Sequence, residues 1–363
     1  MAPSPDWLFL TLLVATILPV FCWAFHKFPK ENWQFLASVP THKDDQGHWV
    51  GVNLTYYGLI SANAYAVSFL LFLLLASAQG MSLPVALGIS AAALACAVPS
   101  ARLLAWWVEG KKHHLTFSGA SFIGLISSPL WIAVVPGLVE PGAKAPMVPT
   151  LAAMGIAAVL GEGLGRLACI SFGCCYGRPI SELPAWLQRF FRRAHFVFSG
   201  STKKIAYASC LDGVKVVPVQ AMTAIVNTTV ALVALVLLLS GQYAFALGFS
   251  ITTSLAWRIV SELLRADDLG TSSGSSIAWW AGRWSRYQTL SVIGIFYIHA
   301  VLAFHGYSSG AAQTDLAAGF QALWNPAVIL LVQAIWIVLF LFSGRSLVTS
   351  SSISWHVVDE ATA

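Results

Sequence analysis

Apolar residues in this chain come in long blocks separated by short polar connections. Crossing a bilayer as a helix takes about 20 apolar residues. Blocks of that size lie at 7–25, 54–78, 83–106, 118–139, 147–168, 219–240, 243–264, 287–305 and 323–343. Backbone polar groups cannot stay unpaired in hydrocarbon, so each block is expected to be a helix. The pattern predicts an all-α polytopic membrane protein of about nine transmembrane helices. The first block is read as a retained helix, because MAPSPD before it lacks the Lys or Arg of a signal peptide.

The longest connection, 169–218, holds PAWLQRFFRRAHFVF at 184–198, which mixes aromatics with Arg189, Arg192 and Arg193. It reads either as a helix lying on the membrane surface or as a solvated basic loop. The 266–286 connection is Gly/Ser-rich around TSSGSS and then basic.

Composition supports the membrane assignment. The chain is 57% hydrophobic and 10% charged, whereas soluble domains carry about 25% charged residues. The net charge of +5 comes without basic runs interleaved with aromatics, so no nucleic-acid partner is expected. An anionic lipid or the membrane surface is the natural partner. Lys and Arg are unevenly placed. The connections after spans one, three, five and seven, with their flanks, hold all of the 20 except Lys144 and Arg345. The positive-inside rule places those connections in the cytoplasm, unless the charges serve a site.

The densest chemistry lies at 161–179, GEGLGRLACISFGCCYGRP. Glu162 and Arg166 are four apart on the fifth span, and an arginine at membrane depth needs a partner or a task. Arg258 and Glu262 are also four apart, and Arg265 follows on nearly the same face. Such a stripe either closes the helix end as a network or holds an arginine ready for phosphate. Arg102 ends the third apolar block, where snorkelling to the interface is the plain reading. Lys111, Lys112, His113 and His114 form a polar loop whose histidines titrate near neutrality. Cys22 and Cys96 read as small hydrophobes. Cys169, Cys174, Cys175 and Cys210 gather near one connection, where a disulfide, a metal site or plain packing are all open. The chain has no CxxC pair or Cys/His ladder, which argues against zinc, and no metal or cofactor is expected.

Several islands, in order, resemble the prolipoprotein diacylglyceryl transferase family. YYGL at 56–59 resembles its WYGL, and SAR at 100–102 its GAR. TFSGASFIG at 116–124 falls where the family has a His-Gly-Gly loop. GLGRLACISFGCCYGRP at 163–179 resembles the signature GRxGNFxNxExxGRP. PVQ at 218–220 resembles PTQ, WRIVSELLR at 257–265 resembles FRxxxExxR, and YQTLS at 287–291 resembles GQxLS. The likeness covers roughly 54–305. It divides the chain into an extra N-terminal helix with a polar connection (1–53), a seven-helix transferase-like core (54–305), and an extra C-terminal helix with a polar tail (306–363).

The resemblance implies a multi-pass enzyme of the bacterial inner membrane. The family moves diacylglyceryl from phosphatidylglycerol to the cysteine thiol of a prolipoprotein and releases glycerol 1-phosphate. It implies catalytic roles for Arg166, Arg258, Tyr57 and Glu262, with the two arginines on the phosphate. It also implies substrate contacts at Gly177, Arg178, Arg102, Ser118, Gly119, Gln220 and Gln288, and a site opening to the exoplasmic side, opposite to the charge count. Four positions depart from the family. Ser118 stands where its histidine is expected, Ser254 where a tyrosine is expected, Cys169 replaces asparagine and Cys174 replaces glutamate. A cysteine-rich signature resembles divergent relatives of the transferase. A different acceptor, or a lipid-binding or transport protein without catalysis, therefore stays open beside the main reading.

Overall fold

The computed structural model describes residues 5–43, 45, 47, 49–109, 117–266, 285–306 and 314–346. Among these, nine helices are long and apolar enough to cross a membrane, so the chain is an all-α, multi-pass membrane protein. They are α1 (Pro5–Lys27), α2 (Tyr56–Ala78), α3 (Leu83–Glu109), α4 (Phe117–Val139), α5 (Met147–Phe172), α8 (Val219–Leu239), α9 (Tyr243–Leu263), α10 (Arg286–His305) and α12 (Pro326–Gly344). Three short helices lie between them: α6 (Ala185–Phe191), α7 (Lys204–Ser209) and α11 (Leu316–Leu323).

Helix α5 is the centre. It packs against α2, α8 and α9, and 61% of its apolar stretch is buried, against 11% for α12. Its glycines explain this position. A Cβ on Gly161 would lie 2.7 Å from Ser68 Cβ of α2, and one on Gly163 2.6 Å from Thr228 Oγ1 of α8. Small residues let membrane helices approach until their backbones nearly touch. The glycines of the 161–165 stretch thus serve helix packing directly.

The connection after α1 is not simply polar. It forms an antiparallel hairpin, β1 (Phe35–Lys43) with β2 (Trp49–Thr55), in which Ser38 faces Asn53 and Val39 faces Val52. Residues 50–54 run Val, Gly, Val, Asn, Leu, a period-2 pattern too short to stand out among long apolar blocks. Strand β5 (Arg345–Ser346) adds to the far edge of β2 and ties the C-terminal helix to the start of α2. There, Gly58 and Gly344 meet: a Cβ on Gly58 would lie 2.1 Å from Gly344 Cα. Thr55 caps α2 by accepting from the Gly58 amide at 3.3 Å, and its hydroxyl donates to the Gly344 carbonyl at 3.0 Å.

The surface segment departs from its expected length. The 184–198 stretch is a seven-residue helix, α6, followed by β3 (Phe196–Val197), which pairs with β4 (Lys215–Val216). Leu187 and Phe191 turn inward, while Trp186 and Phe190, four apart, are 69% and 67% exposed. Two exposed aromatics on one face, beside Arg189, suit a helix seated at the interface.

Candidate functional site

The polar ends of α2, α5, α8, α9 and α10 gather at one end of the bundle. Helix α5 stops at Gly173, whose φ of 72° lies in the left-handed region where glycine carries no Cβ penalty. The next residues fold back, and the Cys174 amide donates to the Cys169 carbonyl at 3.1 Å. The loop is then stitched to its neighbours. The Arg178 amide donates to Leu264 O, Val217 N to Arg178 O, and Ala266 N to Tyr176 O. Gly177 sits in the tightest place, where a Cβ would lie 2.3 Å from Val217 O. Arg178 Nε donates to the Arg265 carbonyl at 3.3 Å, so this arginine fastens the loop to the end of α9.

Behind that loop lies a polar pocket lined by Glu162 and Arg166 of α5, Gln220, Thr223 and Asn227 of α8, and Ser254, Trp257, Arg258 and Ser261 of α9, together with Cys175 and Arg265. Its free volume is about 10 Å³, room for a single water molecule. Each of the two spanning arginines is held by the glutamate four residues away on its own helix. Arg166 Nη2 donates to Glu162 Oε1 at 2.6 Å, and Arg258 Nη2 lies 3.6 Å from Glu262 Oε1. Arg258 also stacks over the Tyr287 ring, 5.4 Å from its centroid, a cation–π contact.

Glu262 is itself fixed, because its Oε2 accepts from the Ser285 hydroxyl. Ser285 caps α10 in a reciprocal box with Gln288, and Gln288 Nε2 donates to the Ile259 carbonyl at 3.1 Å. Gln288 therefore stands behind the pocket and docks α10 on α9. Among the described residues, three atoms at the pocket are buried without a hydrogen-bond partner: Gln220 Oε1, Asn227 Oδ1 and Arg166 Nε. Buried polar groups are normally satisfied, so unspent acceptors beside arginines make this pocket the candidate site.

A second cavity, about 230 Å³, shares Glu162, Ser254 and Arg258 with the polar pocket. It runs between α4, α5, α9 and α10, lined by Phe122, Leu125, Leu151, Met154, Leu247, Ile251 and Leu255. Polar pocket and apolar cavity thus stand side by side, with Glu162, Ser254 and Arg258 in the wall of both.

Tyr57 lies beside the thiols of Cys169, Cys174 and Cys175, with its ring 5.4 Å from that of Phe172. Those three sulfurs lie within 4.8 Å of one another. Hydrogen bonds from the other two thiols hold the Cys175 thiol well below the ordinary cysteine range, and the nearby Arg265 and Arg166 guanidinium groups act in the same direction. The same hydrogen-bonding group pushes Cys174 upward. All six cysteines are free thiols, and Cys210 is exposed.

Of the sequence-derived residues, Arg166, Arg258 and Gln220 line the pocket, while Glu262, Gln288, Gly177 and Arg178 support it. Arg102 is exposed on α3 and does not line either cavity. Ser118 and Gly119 fall in the first turn of α4, and their side chains, like the whole of Lys111, Lys112, His113 and His114, lie outside the described residues. Thr223, Asn227 and Trp257 were missed. Gln220, Thr223 and Asn227 recur at i, i+3 and i+7 in an apolar span, a polar stripe that periodicity could have found.

The sequence model of the prolipoprotein diacylglyceryl transferase family matches residues 48–304, most of the chain. No curated protein matches it. The chain belongs to the prolipoprotein diacylglyceryl transferase family.

Proposed function

We propose that this family member transfers a diacylglyceryl group from phosphatidylglycerol, or a similarly anionic glycerophospholipid, to a lipoprotein cysteine in a bacterial inner membrane. One observation carries the reading: Arg166 and Arg258, from two different spans, meet in a polar pocket that shares Glu162, Ser254 and Arg258 with an apolar cavity. A glycerophospholipid has that same division, with a phosphate at one end and acyl chains at the other. Its phosphate fits the arginines and its chains fit the cleft between α4 and α10. Gln220 Oε1 and Asn227 Oδ1, lacking donors, suit the hydroxyls of a glycerol headgroup.

In the proposed reaction the acceptor thiolate attacks the terminal glyceryl carbon. The carbon–oxygen bond to phosphate breaks, its electron pair stays on the phosphate oxygen, and glycerol 1-phosphate leaves. Negative charge on that phosphate rises along the path. Guanidinium groups already positioned in a low-dielectric cleft stabilise it more than the ground state. Glu162 and Glu262 orient the arginines, and an entering phosphate has to draw each arginine away from its carboxylate to open the tight pocket. Tyr57 lines neither cavity and stands beside the cysteine trio, so a catalytic role for it rests on the family resemblance alone.

A second reading keeps the lipid donor and changes the acceptor. Ser254, 7% exposed in the pocket wall, supplies only a short hydroxyl where the family pattern has a tyrosine. Purified protein incubated with a lipid extract and a lipobox peptide, followed by mass spectrometry, separates the two. The diacylglyceryl adduct on the peptide is the expected product. Release of glycerol phosphate without that adduct favours another acceptor, and lipid binding without any release overturns the transferase reading.

A further inference from the structure

We propose that Cys169, Cys174 and Cys175 form a binding site for a thiophilic closed-shell cation, Zn²⁺ or Cu⁺, beside the arginine pocket. Their sulfurs already lie within 4.8 Å of one another. Zinc–thiolate bonds are about 2.3 Å, which places the sulfurs of a tetrahedral site about 3.8 Å apart. The trio therefore has to close by no more than about 1 Å. Thiolates favour these cations over hard ones such as Mg²⁺ or Ca²⁺.

The backbone is arranged for this convergence. Gly173 turns the chain in the left-handed region, and Cys175 occupies the same region at φ 54°. A residue with a side chain pays about 1–2 kcal/mol there. Gln220 pins the loop by donating from Nε2 to the Cys174 carbonyl at 2.9 Å. Three thiolates around Zn²⁺ leave one net negative charge. Arg166 and Arg265 line the same pocket wall as Cys175 and offset that charge.

Three protein ligands leave zinc an open position. A thiol binding there exchanges its S–H bond for a metal–sulfur bond and gives its proton to water. This consequence rests on the transferase reading above, whereas cation binding does not. It would place thiol activation beside the phosphate grip in a chain that has Ser118 in the loop where the family has a histidine.

The test is titration of the reduced, detergent-purified full chain with Zn²⁺, and separately with Cu⁺ under argon, against a chromophoric chelator. One equivalent is expected, with X-ray absorption showing three sulfurs at about 2.3 Å. Affinity should fall at least 100-fold in Cys169→Ser, Cys174→Ser and Cys175→Ser, and stay within threefold in Cys22→Ser, Cys96→Ser and Cys210→Ser. In the wild type, the bound cation should shield three thiols from alkylation in an intact-mass count, which needs no variant to fold. No uptake by the reduced wild type, or uptake unchanged in the three pocket variants, overturns the site. Binding with a transfer rate indifferent to the cation overturns the activation step alone. An Arg258→Ala chain that binds the cation but transfers nothing separates this site from the phosphate site.

Discussion

Arg166 and Arg258 reach the same pocket from different spans, each tethered to a glutamate one helical turn along its own helix. The two tethers differ. The α5 pair is a close hydrogen bond at 2.6 Å, whereas the α9 pair stands at 3.6 Å, with Glu262 turned partly toward Ser285. Arg258 is therefore the looser cation and the more readily given to a phosphate. Arg258→Ala and Arg166→Ala should each lower transfer at least 100-fold, the scale of losing one preorganised charge donor, while the protein still inserts and elutes as a single species. Arg258→Lys should recover little, since an ammonium cannot reproduce the planar fork. Turnover of a fluorescent phosphatidylglycerol checks this, and full activity in both alanine variants would remove the arginines from the mechanism.

Ser285 should matter through Glu262 and not through the lipid. Ser285→Ala removes both the α10 cap and the hydroxyl held by the carboxylate. A cap is worth about 1 kcal/mol, and the freed carboxylate can swing fully onto Arg258. The expected result is a KM for lipid raised several-fold, with a smaller change in kcat. Ser285→Thr should restore both. A purely structural role would lower thermal stability in detergent and leave KM unchanged.

Gly177→Ala should be far more damaging than its size suggests. The added methyl would meet Val217 O at 2.3 Å, and the loop cannot move aside without breaking its bonds to Leu264 and Val217. Transfer should fall at least tenfold, with a lowered melting temperature, as overpacking costs about 1–3 kcal/mol. Gly137→Ala, whose Cβ meets nothing within 4 Å, is the control and should behave as wild type.

Much of the site was legible because helical period does not depend on the rest of the fold. Glu162 with Arg166, and Arg258 with Glu262, pair at one-turn spacing, and apolar block length fixed the spans. The sequence alone could not show that Cys169 meets Cys174 and Cys175. That contact depends on left-handed backbone at Gly173 and Cys175, and the spacing matches no familiar zinc pattern. Nor could it pair Gly58 with Gly344, since a glycine contact between distant helices leaves no periodic trace. The extra C-terminal helix thus looked like an appendage, yet it seals the start of α2 next to Tyr57. Arg102 looked like a site residue from its motif, but no local pattern says which way a helix end faces.

Lys203 offers a pH test outside the spans. It is fully buried, and its ammonium donates to Ser171 O at 2.7 Å and Phe28 O at 3.1 Å. Burial lowers its pKa to about 8, with Glu31 opposing. The unfolded chain therefore holds the extra proton between about pH 8 and the ordinary lysine value of about 10.4. The cost of burying the charge fades as pH rises through that window. Wild type should gain melting temperature relative to Lys203→Met between about pH 7.5 and 10. A parallel pH dependence in both proteins would show that Lys203 does not titrate there.

Membrane orientation follows from where the cations are used. Arg166, Arg258 and Arg265 line the pocket, and Arg178 and Lys203 fasten its walls. Cations retained for binding give the positive-inside count less weight, and long connections cross membranes with little regard to charge. The pocket end, with α6, should therefore face the exoplasm, as the family resemblance implies. Exposed Cys210 is a native reporter on that end, and Trp186→Cys in a Cys210→Ser background is a second. Both should react with an impermeant maleimide on intact cells. Labelling of both only after permeabilisation would place the pocket in the cytoplasm and restore the charge count as the guide.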